Sequence, residues 1–247
     1  MKAWFLSDLH LKSLNERNGN ILLRFLHSLV DGEHEITHLF LLGDIFDLWV
    51  GGHDFYAKKF QPIVDAILEL KKKGIEIYYF EGNHDLHIDR FWQERMGIPV
   101  YVDPKYFQLG PWVVRCEHGD FINPDDKAYE RYRKFVRHPI MNLVAQVTPP
   151  AWMYEFGKKA SQTSRHFSAK ERSDKEQELK RMIRQYSEEA FRQIPFDFLI
   201  GGHMHVRDDW QFTASGKTVH SINLGSWFTD PAAYLLTEIE GQWVGLK

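Results

Sequence analysis

The chain has 247 residues, 43% hydrophobic and 26% charged, with a formal net charge of −3, the proportions of an ordinary globular protein able to bury a core. A single cysteine, Cys116, excludes a disulfide framework and a thiolate-caged zinc site. No run approaches the ~20 apolar residues needed to cross a bilayer, and Asp8 interrupts the N-terminal apolar run before a signal-peptide core develops, so the expectation is a cytoplasmic protein with at most peripheral membrane contact.

In chain order, Lys2 to Ser7 reads as a buried strand, Asn20 to Val30 as an amphipathic helix and Ile36 to Leu42 as a strand. Tyr56 to Lys73 reads as a helix stopped by Gly74, and Ile75 to Phe80 as a strand. This β-α-β-α-β alternation predicts parallel strands in a layered α/β domain, with ligands bound beyond the strands' carboxyl ends. From Val100 onward the pattern changes to hairpins. Tyr106 to Leu109 and Val113 to Glu117 flank Gly110-Pro111, Trp210 to Thr213 and Thr218 to Asn223 flank residues 214–217, and Ala233 to Ile239 and Trp243 to Leu246 flank Glu240-Gly241-Gln242. These hairpins predict a second, more antiparallel sheet. Two packed sheets with helices outside make a four-layer α-β-β-α sandwich.

Between Phe121 and Pro195 there is no strand signal. Asp125 to Val136, Ile140 to Val147, Ala151 to Ala160 and Ser168 to Phe191 read as helices, punctuated by Pro139, Pro149 and Pro150. The reading is one domain over residues 1–247 carrying a helical insertion at 121–195. Lys127 to Arg192 holds 15 Lys/Arg against 8 Asp/Glu, so the middle of an acidic chain is basic. That stretch contains no recognised nucleic-acid module, and no nucleic-acid partner is expected. Ala151 to Lys159 couples an apolar-aromatic cluster to two lysines, a composition that suits either an anionic membrane surface or a core-facing helix.

Potential metal ligands fall in five short clusters: Asp8-Leu9-His10, Gly43-Asp44, Gly82-Asn83-His84-Asp85, His118-Gly119-Asp120 and Gly202-His203-Met204-His205. Each ends an apolar, β-branched or aromatic run, so five strands are expected to deliver their tips to one sheet edge. Carboxylate, imidazole and one amide oxygen form a borderline-hard donor set suited to Mn²⁺, Zn²⁺ or Fe²⁺. A lone Asp-x-His or His-x-His is more often a surface or hydrogen-bonded pair than a ligand set. Five such clusters, nearly all beside a glycine that permits a tight turn, are hard to produce by chance.

These residues resemble the full signature of the calcineurin-like, dinuclear metallophosphoesterases. The resemblance implies one ion held by Asp8, His10, Asp44 and His205 and a second by Asp44, Asn83, His118 and His203, with Asp44 as the bridge. Two such cations would activate a bridging hydroxide for attack at phosphorus and neutralise charge on the phosphate oxygens. His84 and Asp85 resemble the superfamily's His-Asp dyad, in which Asp fixes the imidazole tautomer and His stabilises the leaving oxygen.

A narrower resemblance rests on Gly43 to Gly51, on His118-Gly119-Asp120 followed by Asp125, Asp126, Tyr129 and Arg133, and on Asn223-Leu224-Gly225-Ser226-Trp227. These look like the UDP-2,3-diacylglucosamine diphosphatase family of lipid A biosynthesis. The resemblance implies Mn²⁺-dependent cleavage of the substrate pyrophosphate at the α-phosphorus, giving UMP and 2,3-diacylglucosamine 1-phosphate. It also implies peripheral association with the cytoplasmic face of the inner membrane, an insertion acting as a lid over the acyl chains, and substrate contacts at Asn83, His84, Asp126, Tyr129, Ser161, Arg165 and His203. One departure stands: that family carries Arg where this chain has His84, which exchanges a fixed cation for a titratable imidazole. An alternative is therefore another metallophosphoesterase, acting on a different nucleotide diphosphate, phosphodiester or phosphomonoester. A non-enzymatic binding module on the same fold is the remaining reading, and the intact ligand set argues against it.

Overall fold

The computed structural model describes residues 1–149, 152 and 175–247. Three parallel strands, β1 (Lys2–Leu6), β2 (His38–Leu41) and β4 (Glu76–Phe80), form the middle of a six-stranded sheet. Its edges are β6 (Val100–Tyr101), parallel to β4, and the hairpin of β12 (Ala232–Thr237) and β13 (Gly241–Gly245), in which β12 runs antiparallel to β1. A five-stranded sheet holds β7 (Lys105–Leu109), β8 (Trp112–Cys116), β9 (Phe198–Gly201), β10 (Arg207–Ala214) and β11 (Lys217–Leu224) in the order β10-β11-β9-β8-β7. Short β3 (Trp49–Val50) pairs with β5 (Asp85–Leu86) beside them.

Alternation along each strand decides the layering, because successive side chains leave opposite faces of a sheet. Ala3, Phe5, Phe40, Leu42 and Phe80 meet Val114, Cys116, Phe198, Ile200 and Ile222 in a core between the sheets. The residues of opposite parity, Trp4, Leu6, Leu39, Leu41, Ile77 and Tyr79, face the other way and pack with α1 (Arg17–Val30), α2 (Asp54–Lys59), α3 (Gln61–Lys72) and α4 (Asp89–Trp92). On the outer face of the second sheet, Leu199 and Val219 meet Ala190 and Phe191 of helix α7, described over 175–193. The result is the expected four-layer α-β-β-α sandwich.

Three details differ from the sequence reading. The Tyr56 to Lys73 helix is two helices, because Pro62 has no N–H to continue a helix but fits a first turn; Phe60, wholly buried, turns the chain between them. The last hairpin joins the first sheet, not the second: the apolar run of β12, buried on both faces, marks a strand without marking its neighbour. The ligand-bearing tips come from both sheets, three from the first and two from the second, so the site lies over the seam between sheets and not along one sheet edge.

Between β8 and β9 the described residues form helices joined by turns. Asp126 caps α5 (Lys127–Val136) by accepting from the Tyr129 amide at 2.8 Å, and Pro139 opens α6 (Pro139–Val147). Two histidines of the sandwich clamp this pair, His87 Nε2 on the Val136 carbonyl at 2.8 Å and His53 Nε2 on the Ala145 carbonyl at 2.7 Å.

Candidate metal centre

Five sharp turns follow β1, β2, β4, β8 and β9, and they are laced together by their own backbones: the amide of Asp8 donates to the Gly43 carbonyl at 3.1 Å and that of His10 to the Asp44 carbonyl at 2.9 Å. Asp8, His10, Asp44, His203 and His205 all take left-handed φ angles, between 50° and 68°. Asp and His tolerate that region better than β-branched or bulky residues do. Glycine is required at Gly82, where a Cβ would lie 2.1 Å from Asp44 Oδ1.

The seven expected ligands converge. Asp8, His10, Asp44 and His205 each offer an atom within 4.8 Å of the others. Asp44 Oδ2 lies 3.7 Å from His10 Nε2 and 3.8 Å from His118 Nε2, so one carboxylate faces both groups. On the far side, Asn83 Oδ1 is 3.4 Å from His118 Nε2 and 3.2 Å from His203 Nδ1.

The donor chemistry fits cations. His118 Nδ1 sits 2.8 Å from the Leu42 carbonyl, so it carries the hydrogen and Nε2 turns its lone pair toward Asp44, Asn83 and His203. Ring nitrogens face each other at 2.9 Å between His10 and His205 and at 3.3 Å between His118 and His203, with carboxylate and amide oxygens beside them. Basic atoms crowded this closely suit divalent metal ions of borderline hardness. Supporting groups orient them: Asp8 Oδ2 accepts from Ser7 Oγ at 2.6 Å and from the His203 amide at 2.9 Å, and Asp44 Oδ1 accepts from the His84 amide at 2.9 Å.

Electrostatics follow from burial and crowding. Burial works to raise the Asp8 carboxyl, but His205, His118 and the Ser7 hydroxyl outweigh it and hold the group at about 2. Burial works to lower His118, yet Asp44, Asp120 and Asp8 raise it to about 9. Burial, with His118 alongside, pushes His203 down to about 4.

The expected dyad is corrected. Asp85 is fully buried and its oxygens accept the amides of Gly82 (2.6 Å), Asp44 (3.1 Å) and Ile45 (3.2 Å) and the Tyr79 hydroxyl (2.8 Å), so it braces the two ligand loops. The ring of His84 turns instead to Asp47, with Nδ1 2.8 Å from the carbonyl oxygen and 4.0 Å from Oδ1. Adjacency in sequence suggested Asp85; the backbone directs successive side chains apart.

Of the expected substrate contacts, Asn83, His84 and His203 lie in the centre, and Tyr129 reaches it, its ring 4.9 Å from that of His203 and its hydroxyl donating to Asp120 at 2.6 Å. Asp126 is exposed and serves as the α5 cap. Ser161 and Arg165 lie outside the described residues. Residues not foreseen are Arg137, which bridges Asp120 (3.0 Å), Glu81 (3.3 Å) and the Gly82 carbonyl (3.3 Å), and Phe228, stacked on His10. Asp120 lay inside a ligand cluster and Asp47 inside the Gly43 to Gly51 run; nothing local marks Arg137 or Phe228.

Residues 1–207 match the model of the calcineurin-like phosphoesterase family. The chain is similar to the UDP-2,3-diacylglucosamine hydrolase of Neisseria meningitidis, at 28% identity over 97% of this chain and 95% of that one. The enzyme of the same name from Stenotrophomonas maltophilia is 27% identical over 92% of each. Among solved structures, an archaeal phosphodiesterase aligns over 100% of both chains with 14% identity and a TM-score of 0.48.

Proposed function

The chain belongs to the calcineurin-like phosphoesterase family, and we propose that it hydrolyses the pyrophosphate of UDP-2,3-diacylglucosamine to UMP and 2,3-diacylglucosamine 1-phosphate. The observation that carries the reaction class is the convergence of Asp8, His10, Asn83, His118, His203 and His205 around a shared Asp44. The substrate is supported by the relatives' names and by the surface beside the centre. On α5, α6 and just beyond, Phe135, Ile140, Leu143, Val147 and Trp152 are all more than half exposed, an apolar face suited to acyl chains.

Asp8, His10, Asp44 and His205 would hold one ion and Asp44, Asn83, His118 and His203 the other, with Mn²⁺ the metal we infer. Bound there, two divalent ions lower the pKa of water and neutralise phosphate charge. The chain's own groups do the rest. Water attacks the α-phosphorus, the bond to the bridging oxygen breaks, and the sugar phosphate departs. The Asp47 carbonyl fixes His84 Nδ1 as a donor, so in the imidazolium form Nε2 is left to donate to a phosphate oxygen as charge builds. Tyr129, tied to Asp120, closes the His203 side. The described residues of the insertion next to the centre, 121–149, would act as part of a lid, and Arg137 anchors them to the rim of the centre.

Lys127, Arg131 and Lys134 are exposed on α5, the helix that leads into the apolar α6. That pairing supports peripheral association with the cytoplasmic face of an anionic inner membrane. Among the described residues no helix is long and apolar enough to cross one. The test is direct: with Mn²⁺, the purified protein releases UMP from UDP-2,3-diacylglucosamine, and a chelator stops it. Absence of UMP with metal present, or release that survives complete metal removal, overturns the proposal.

A further inference from the structure

The loop joining β11 to β12 is held unusually firmly for a connection at the rim of a site. Trp227, 1% exposed, donates its amide to the Asp8 carbonyl at 3.2 Å and its indole N–H to the Ala232 carbonyl at 3.0 Å. Arg17 of α1 donates to the Thr229 carbonyl at 3.1 Å, and Arg207 of β10 grips Asp230 through both its carboxylate, at 2.9 Å, and its carbonyl, at 2.7 Å. Between these fixed neighbours Phe228 remains 42% exposed. Its ring lies nearly parallel to that of His10, with centroids 5.4 Å apart and planes inclined by 14°, and edge-on to His205, also at 5.4 Å. A part-exposed aromatic ring on a hydrogen-bonded loop therefore abuts the His10 and His205 half of the centre. The other half, through His203, abuts Tyr129 and the helical insertion.

We propose that Phe228 is the platform on which the uracil ring of the substrate stacks. The inference rests on the UDP-2,3-diacylglucosamine reading and assigns one end of that substrate to one end of the site. The two ends differ in chemistry. Acyl chains need an extended aliphatic surface, which Phe135, Ile140, Leu143 and Val147 of the insertion supply. A pyrimidine needs one flat, exposed partner for its face, and Phe228, between hydrogen-bonded neighbours, is that partner. With the diphosphate over Asp44, between the two groups, the nucleoside extends across His10 toward Phe228 and the lipid extends past His203 under the insertion. A phenyl ring offers no hydrogen bond, so it grips a base without reading it. UMP and CMP are therefore expected to bind alike at this contact.

The test compares equilibrium binding of UMP and of ribose 5-phosphate to the Mn²⁺-loaded full chain by calorimetry. Both ligands present the same phosphate, and only one presents a base. Wild type binds UMP about tenfold or more tighter than ribose 5-phosphate, the scale of one base stacked on one aromatic ring. Phe228→Leu, which keeps an apolar side chain of similar bulk, brings that ratio close to one and leaves ribose 5-phosphate binding unchanged; Phe228→Trp preserves the ratio. An unchanged ratio in Phe228→Leu, in an enzyme that still releases UMP from UDP-2,3-diacylglucosamine, overturns the platform alone. If wild type releases no UMP from that substrate, the parent reading fails and takes this assignment with it.

Discussion

Asp8, His10, Asp44, His203 and His205 share a backbone conformation that costs an L-residue roughly 1–2 kcal/mol, so the centre concentrates strain where the ligands are. A metal that engages only the folded site offsets that strain, and the metal must also displace a proton. His118 keeps its proton up to about 9 in the metal-free protein because Asp44, Asp120 and Asp8 outweigh its burial. The raised value means that below it proton and metal compete, so Mn²⁺ affinity falls about tenfold for each pH unit below 9 while one proton is displaced, and levels off above it. Calorimetry in buffers of different ionisation enthalpy counts the proton; zero proton release at neutral pH contradicts the assignment of His118 as a ligand. The two neighbours His84 and Asp85 should separate cleanly on mutation. His84→Ala keeps its melting temperature and loses about a hundredfold or more in kcat. Asp85→Ala strands three buried amides and a tyrosine hydroxyl, costs roughly 3–5 kcal/mol of stability and loses activity through the fold. Equal melting temperatures would place Asp85 back beside His84 in the chemistry.

At the scale of elements, the strand tips were legible because a ligand two residues past an apolar run is a local pattern. The partners of those strands were not. The Ala233 to Ile239 segment offers the same continuous apolar run whether it pairs with β1 or with β11, and only the packed sandwich settles the choice. Arg137 was invisible for a similar reason, since its partners Glu81 and Asp120 are 56 and 17 residues away. It holds the junction of α5 and α6 against the ligand loops. Burial, opposed by Arg137, leaves the Glu81 carboxyl at about 8, so near neutral pH it is largely protonated and Asp120 is the charge that Arg137 balances. Arg137→Met should cost roughly 3 kcal/mol in chemical denaturation near neutral pH, because the ionised Asp120 is left buried without that cation. It should also raise KM for the acylated substrate more than it lowers kcat. A drop in kcat alone would mean that Arg137 serves the centre and not the insertion.

The whole molecule divides its labour between a metal centre over the seam of two sheets and an apolar, basic surface on the helices between β8 and β9. The first was readable from residue types and spacing; the second only as a composition, because exposure is a property of the packed chain and Phe135, Ile140 and Val147 look like core residues on a helical wheel. If that surface meets membrane, the protein sediments with vesicles containing anionic lipid and is released by salt, whereas equal partition to neutral vesicles would leave the basic residues without a role. The decisive measurement is kcat/KM for UMP release, with Mn²⁺, from UDP-2,3-diacylglucosamine against an unacylated UDP-sugar. A metal centre served by an acyl-binding insertion predicts that the acylated substrate is cleaved faster by about a hundredfold or more. Equal values for the two would contradict it.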